Sequence, residues 1–210
     1  MDRKVYDKLV ASVKSGSSVK PTVTAALLAG GRSTRMGQDK AHLRVAWQGS
    51  PVFLWERQIS ILQAIGPDEL IISGSRKEGY PESVRVIPDE WEGGGPLRGI
   101  GTCLKHVRTD LLFVLAVDLA RIQPEFLGKL LNRSTRDCGV VPFHENRFEP
   151  LVAVYPAAAV GIAIEQLTTG EFVLQRFVRR LSREGLITSY NVELSDHLQL
   201  TNWNKPADLE

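Results

Sequence analysis

The sequence predicts an α/β protein with a doubly wound, mostly parallel sheet, and three observations lead to this fold class. Uninterrupted apolar runs of the kind buried on both faces of a parallel sheet recur at 25–29, 70–72 and 111–117. Segments with helical spacing of apolar residues separate these runs, and turn-forming or glycine-rich stretches follow them. A chain of 210 residues, 43% hydrophobic and 24% charged, is large enough for one such domain.

Composition excludes several classes of protein. The formal net charge is only +2, which argues against generic nucleic-acid binding. The cysteines, Cys103 and Cys138, stand far apart and have no C-x-x-C spacing, so neither a zinc site nor a disulfide framework is indicated. No apolar run approaches the roughly eighteen residues that span a bilayer. We therefore expect a cytoplasmic protein without a membrane segment.

The first twenty residues are predicted to be an extension. They carry a rough helical stripe of Val5, Leu9 and Val13, and the run 15–18 reads Ser-Gly-Ser-Ser, which is typical of a flexible linker. We predict one folded domain over residues 21–210.

A glycine-rich, basic loop follows the first apolar run. Its pattern, L-A-G-G-x-S-x-R-M-G-x-D-K, lets backbone amides approach an anion while Arg35 and Lys40 add positive charge. The pattern is not a P-loop, because Gly31 and Gly37 are one residue too far apart and glutamine follows Gly37. It is not the dinucleotide-binding fingerprint either, since no G-x-G-x-x-G triplet occurs. The loop is predicted to bind phosphate groups.

The next segments alternate between strand and helix signals. Residues 41–47 are predicted to be extended, 51–65 to form a helix with Pro51 in its first turn, and 84–88 to form a strand. A second glycine-rich loop, 89–100, contains G-P-L-x-G and leads into another helix, whose first amides could face an anion.

The run 111–117 is followed directly by Asp118. Ligands of open α/β sheets bind outside the carboxyl ends of the strands, and a carboxylate there suits Mg²⁺ that carries nucleotide phosphates. A helix is predicted at 124–131, and strands at 139–143 and 151–155 form a hairpin or sheet extension. His144, in their connection, is predicted to be a surface loop residue. Helices are predicted at 157–167 and 171–184, the second rich in arginine.

These motifs resemble the nucleotidyltransferases, from about residue 22 onward. The double glycine and the Asp39-Lys40 pair are most similar to the molybdenum cofactor guanylyltransferases, as are E-P-L-x-A-x-Y at 149–155 and N-x-N at 202–204. The resemblance implies a three-layer, Rossmann-like nucleotidyltransferase fold with a mostly parallel sheet and a small hairpin extension.

The resemblance also implies site residues. The catalytic residues would be Arg35, Lys40 and Asp118, with Asp118 the ligand of a Mg²⁺ cofactor. The nucleotide-binding residues would be Leu28, Ala29, Gly30, Gly31, Lys40, Ser73, Asp89, Gly95 and Gly99. The acceptor-binding residues would be Glu149, Pro150, Asn202 and Asn204.

The implied reaction transfers GMP from GTP to the terminal phosphate of molybdopterin or molybdenum cofactor and releases pyrophosphate. Implied partners are these substrates and, transiently, molybdoenzymes or their chaperones. The chain departs from the family pattern at three places: no proline follows Asp118, Glu171 and Phe172 replace basic or small residues, and Lys205 replaces threonine. A cytidylyltransferase, another nucleotidyltransferase acting on a phosphorylated small molecule, and a non-catalytic nucleotide-binding partner protein remain alternatives.

Overall fold

The computed structural model describes residues 20–30 and 40–201. The strands in chain order are β1 (Val23–Leu28), β2 (Arg44–Trp47), β3 (Ser50–Phe53), β4 (Glu69–Ser73), β5 (Arg85–Ile87), β6 (Leu111–Ala116), β7 (Gly139–His144), β8 (Arg147–Phe148), β9 (Val152–Pro156) and β10 (Ile187–Asn191). The helices are α1 (Leu54–Ala64), α2 (Gly95–His106), α3 (Pro124–Leu131), α4 (Val160–Thr169) and α5 (Leu174–Arg183), with short 3₁₀ helices at Lys40–His42, Ala157–Ala159 and Leu194–Leu200.

The main sheet has the order β10-β7-β9-β6-β1-β4-β5, and β8 pairs with β7. Strands β6, β1, β4 and β5 are parallel neighbours, whereas β9 runs antiparallel to both β6 and β7. Strand β7 therefore runs in the same direction as β6, and β10, which is parallel to β7, runs in that direction too. The predicted mostly parallel sheet is confirmed, and the antiparallel strands β8 and β9, both paired with β7, form its extension.

Helices cover both faces of this sheet. Alternate residues of β1 enter different apolar clusters: Ala25 and Leu27 pack with α1 and α3, whereas Ala26 and Leu28 pack with α2, α4 and α5. Successive strand residues point to opposite faces, so one continuous apolar run supplies two cores. The three-layer prediction is confirmed. None of the helices in the described ranges is long and apolar enough to span a membrane.

Several boundaries differ from the predictions. Pro51 is not in a helix but in β3, which pairs with β2 as a separate hairpin; α1 begins at Leu54, where the Glu56 carboxylate accepts a hydrogen bond from the Phe53 amide at 2.6 Å. Proline suits such an edge strand because it has no N–H to pair. The arginine-rich helix begins at Leu174 rather than at residue 171.

His144 is also placed differently from the prediction. It ends β7 by pairing with Arg147, and only 14% of its side chain is exposed. Its ring lies 4.1 Å, centroid to centroid, from that of His197. His144 is therefore a strand residue packed on the 3₁₀ helix Leu194–Leu200, not a loop residue in solvent.

Candidate active site

The carboxyl ends of β1, β4 and β6 meet at one edge of the sheet. Leu28 is in register with Ser73 of β4 and with Ala116 of β6. The ladders continue one step beyond the strands, since the Ala29 amide donates to the Ser73 carbonyl at 3.1 Å and the Val117 amide donates to the Leu28 carbonyl at 3.2 Å. The ends of these strands and the residues just after them include Leu28, Ala29, Gly30, Ser73 and Asp118, so the parallel register brings these predicted site residues to one edge.

Lys40 and Asp118 lie in direct contact at this edge. The Lys40 Nζ is 3.2 Å from the Asp118 Oδ2, and their side chains are 22% and 23% exposed. Lys40 begins the 3₁₀ helix after the glycine-rich loop, and Asp118 lies two residues beyond the end of β6. Two of the three predicted catalytic residues, 78 positions apart in the chain, thus form one partly solvent-accessible ion pair.

The donor set at this edge fits a metal ion that arrives with a phosphorylated substrate. Within residues 20–30 and 40–201, no three or more metal-ligating side chains cluster together. Mg²⁺ is commonly held by one or two carboxylates and completes its octahedron with water and substrate phosphates. One partly exposed carboxylate, such as that of Asp118, meets that requirement but would not hold a permanently bound ion by itself.

A second polar cluster lies beside the first and centres on Asp89. Its Oδ1 accepts a hydrogen bond from the Ser73 hydroxyl at 3.0 Å, and its Oδ2 is 2.8 Å from the Nε of Arg98. A Cβ atom built on Gly30 would lie 2.9 Å from the Asp89 Oδ2, and one built on Gly99 would lie 2.9 Å from the Ser73 Oγ. A side chain at either position would displace this cluster, which explains why glycine occupies both positions.

The loop before α2 turns sharply through successive glycines. Gly93, Gly94 and Gly95 have φ values of 74°, 73° and 51°, all in the left-handed region that residues with a Cβ rarely adopt. This turn places the amino-terminal end of α2 at the same sheet edge, with Gly99 one turn into the helix. Five of the predicted nucleotide-binding residues (Leu28, Gly30, Ser73, Asp89 and Gly99) are thus linked by contacts into one group here.

The predicted acceptor residues Glu149 and Pro150 form a turn against the end of β6. The Ala116 amide donates to the Leu151 carbonyl at 2.7 Å, and the buried Tyr155 hydroxyl donates to the Pro150 carbonyl at 2.8 Å. The preceding residue, Phe148, is held by both amide atoms of Gln175, through bonds of 3.2 and 2.8 Å to its backbone. The turn is thus rigidly attached to the strand that leads to Asp118.

Glu149 has an unfavourable environment for its charge. Among the described residues, no group donates a hydrogen bond to its carboxylate, and burial raises its pKa more than the charge of Arg147 lowers it. Such a carboxylate costs stability in the absence of a ligand that pairs with it.

We predict that Glu149→Gln raises the unfolding temperature at pH 7 relative to the parent protein. The pKa of Glu149 is higher in the folded protein than in the unfolded chain, so protonated Glu149 favours folding. This contribution to stability is complete below the pKa of the unfolded chain, about 4.3, and is lost as pH rises through the pKa of the folded protein. The advantage of the variant should therefore disappear near pH 4. Thermal melts at both pH values test this, with Glu82→Gln at an exposed position as the control. Equal melting temperatures at pH 7 would contradict it.

Two basic residues at this edge were not predicted. Arg98, the variable position of G-P-L-x-G, pairs with Asp89, and the Lys77 Nζ lies 3.2 Å from the Ala29 carbonyl oxygen. Of these two residues, only Arg98 could have been found from the sequence, because it lies within the G-P-L-x-G motif. The predicted residues Gly31, Arg35, Asn202 and Asn204, and the extension 1–20 except for Lys20, lie outside the described residues.

Comparison with known proteins places the chain in a family. The model of the MobA-like NTP transferase domain matches residues 25–185. The chain belongs to this family. It is thus a nucleotidyltransferase, and the resemblance seen in the sequence is confirmed.

Similar proteins include a probable molybdenum cofactor guanylyltransferase of Opitutus terrae, 35% identical, with 89% of this chain and 92% of that protein aligned. A molybdenum cofactor guanylyltransferase of Xanthomonas euvesicatoria is 33% identical over 87% and 90% of the two chains. Molybdopterin-guanine dinucleotide biosynthesis protein A from Archaeoglobus fulgidus has the same fold, with a TM-score of 0.66 at 24% identity over 89% and 94% of the chains.

Proposed function

We propose that this protein transfers GMP from GTP to the terminal phosphate of molybdopterin or molybdenum cofactor and releases pyrophosphate in a Mg²⁺-dependent reaction. The guanylyltransferase names of relatives aligned over about nine-tenths of the chain support GTP and a molybdopterin acceptor. The observation that carries the reaction type is the contact between Lys40 and Asp118 beside the glycine-rich loop.

The chemistry requires little of the protein beyond positioning and charge neutralisation. A phosphate monoester has its second pKa near about 6, so the acceptor is already ionised at neutral pH and needs no general base. Its oxygen attacks the α-phosphorus of GTP, a new P–O bond forms, and the bond to the β-phosphate oxygen breaks. That oxygen takes the bonding electron pair and leaves as part of pyrophosphate.

The residues at the sheet edge have separate roles in this proposal. Mg²⁺, when bound, would neutralise phosphate charge and orient the reacting groups. Asp118 would supply a carboxylate to it, and Lys40 would donate hydrogen bonds to the triphosphate and to the departing pyrophosphate, with Arg35 adding charge. The amides of Gly30 and Gly31 would hold phosphate oxygens.

The remaining predicted residues would hold the two substrates. Leu28, Ala29, Ser73, Asp89, Gly95 and Gly99 would contact the guanosine, and the hydrogen bond from Ser73 would hold the Asp89 carboxylate beside Gly30 and Gly99. Glu149 and Pro150, with Asn202 and Asn204, would line the acceptor side. We assign catalysis to 21–210 and leave 1–20 as an appendage, which the family match beginning at residue 25 supports. Contact with molybdoenzymes or their chaperones, and a cytoplasmic location, stay predictions.

Nucleotide binding tests the proposal first. Thermal shifts would be measured with GTP, CTP, ATP and UTP, each with and without Mg²⁺, on the parent protein and on Asp118→Asn. A ligand at one hundred times its Kd stabilises the native state by about 2.7 kcal/mol. We expect a Mg²⁺-dependent shift with GTP alone, absent in Asp118→Asn and retained in Asp137→Asn, an exposed control. A preference for CTP would identify a cytidylyltransferase instead.

Transfer is tested by supplying molybdopterin and measuring pyrophosphate together with the guanine dinucleotide product. Both should appear in equal amounts. Pyrophosphate release without a dinucleotide product would contradict the proposed acceptor, and no release under any nucleotide would contradict the reaction.

A further inference from the structure

A buried glutamine on α1 contacts the loop that carries Asp118. Gln58 has no exposed surface, and its Nε2 lies 3.2 Å from the Val117 carbonyl oxygen and 2.9 Å from the Leu119 carbonyl oxygen. A longer contact of 3.5 Å reaches the Ala116 carbonyl. A carboxamide has two N–H groups, and the two shorter contacts use the carbonyls on either side of Asp118.

Arg57 determines which end of the amide faces this loop. Its Nη1 donates to the Gln58 Oε1 at 3.0 Å, and its Nη2 donates to the Ile122 carbonyl at 2.9 Å. Because a guanidinium only donates, it must meet the oxygen of Gln58, and the nitrogen is therefore directed at the carbonyls. Arg57 is itself buried beneath the Trp47 ring, 4.6 Å from its centroid. Burial lowers its pKa to about 10, so it stays charged at neutral pH.

Besides Gln58, the loop is held by the bonds of the Ala116 and Val117 amides to Leu151 and Leu28 and by the contact of Asp118 with Lys40. Within 116–122 its own backbone bonds are long, with Leu119 N to Ala116 O at 3.4 Å and Ile122 N to Leu119 O at 3.2 Å. The side chains of Leu119 and Ile122 are buried, which directs the intervening backbone toward the apolar core beneath the sheet edge. Buried carbonyls without donors are disfavoured, so Gln58 and Arg57 stabilise the backbone conformation on both sides of Asp118.

We propose that Gln58, oriented by Arg57, is a positioning residue that holds Asp118 for the phosphate-bound metal. The inference rests on the proposed function, because it assigns the metal contact to Asp118. Groups that orient a metal-binding carboxylate typically change metal affinity or activity by about 10- to 100-fold when removed. Buried amide contacts at a core helix are usually structural, so the experiment must separate positioning from general stability.

Gln58→Met is the principal variant, because methionine is similar in length and lacks the donor. Gln166→Met is the matched control: Gln166 is also a buried glutamine on a helix, and its Nε2 donates to the Glu171 carbonyl at 3.3 Å. Arg57→Lys is the milder second variant, which keeps the charge but loses the two-pronged contact with Gln58 and Ile122. It remains informative if Gln58→Met does not fold.

Two measurements are needed, and the first requires no nucleotide. Hydrogen exchange of amides 117–122 should accelerate in Gln58→Met, and less in Arg57→Lys, but not in Gln166→Met. Secondly, the Mg²⁺ concentration that gives half of the GTP-dependent activity should rise about 10-fold or more in Gln58→Met, with the KM for GTP at saturating Mg²⁺ unchanged.

The outcomes distinguish the two levels of the proposal. If the parent protein responds to Mg²⁺ through Asp118 but the Gln58 and Arg57 variants require no more Mg²⁺ than Gln166→Met, the positioning role is overturned and the proposed function stands. A parent protein whose GTP binding is independent of Mg²⁺ and of Asp118 would overturn both. Faster hydrogen exchange of amides 117–122 in Gln58→Met, together with a raised Mg²⁺ requirement, supports the positioning role.

Discussion

Asp118→Asn is expected to reduce kcat by at least about 100-fold at saturating GTP and Mg²⁺. Asparagine keeps the size of the side chain and can still accept a hydrogen bond from the Lys40 Nζ, which lies 3.2 Å from Asp118 in the parent protein. It removes the negative charge that would bind a divalent cation, and such a cation contributes several kcal/mol of transition-state stabilisation. Each 1.36 kcal/mol corresponds to a tenfold change in rate. Steady-state kinetics of pyrophosphate release measures the loss.

The fold should survive this substitution. The Asp118 side chain is about a quarter exposed, and ion pairs of such exposure contribute about 0 to 1 kcal/mol to stability. Thermal melts of Asp118→Asn and of the control Asp137→Asn should therefore coincide with that of the parent protein. A kcat within a few-fold of the parent value, with the fold intact, would remove Asp118 from the proposed metal site.

Lys40→Met is expected to lower kcat by about 100-fold. The ammonium group lies at the sheet edge where the proposal places the triphosphate, and the donors that stabilise developing charge in a preorganised site are worth about 10²- to 10³-fold. Methionine keeps most of the length of the side chain and removes the charge. Lys20→Met, at an exposed lysine, is the control. Unchanged turnover would show that Lys40 only neutralises Asp118.

The double variant Lys40→Met with Asp118→Asn tests whether the two groups act together. Residues in contact that serve one step rarely have additive effects. The double variant should therefore lose much less activity than the product of the two single losses. Strict additivity would indicate that the contact in the nucleotide-free protein has no bearing on catalysis.

Most of the sheet was predictable because its strands are buried on both faces. The runs that became β1, β4 and β6 are short, apolar and uninterrupted, and each is followed by a turn or a glycine-rich loop, so their number and direction follow from pattern alone. The hairpin of β2 and β3 was missed because Pro51 in an edge strand resembles a proline at the start of a helix. Local patterns cannot distinguish these two environments.

The candidate site was predictable where its residues belong to motifs. Lys40, Gly30, Gly99 and Asp118 each follow a recognisable strand or occupy a glycine-rich pattern. Gln58 and Arg57 belong to no motif and stand in the middle of an amphipathic helix, where the sequence indicates only a polar face. Their burial depends on the position of α1 under the loop 116–122, which is a tertiary contact.

The sequence by itself determined the fold class, the glycine-rich motif and the family, because these depend on hydrophobic periodicity and on residues close together in the chain. The tertiary structure alone decided which polar groups meet. Lys40 reaches Asp118, Arg98 reaches Asp89, and Gln58 reaches the carbonyls beside Asp118. These pairings follow from the order and register of the parallel strands, which bring distant segments to one edge, and no local pattern in the chain encodes them.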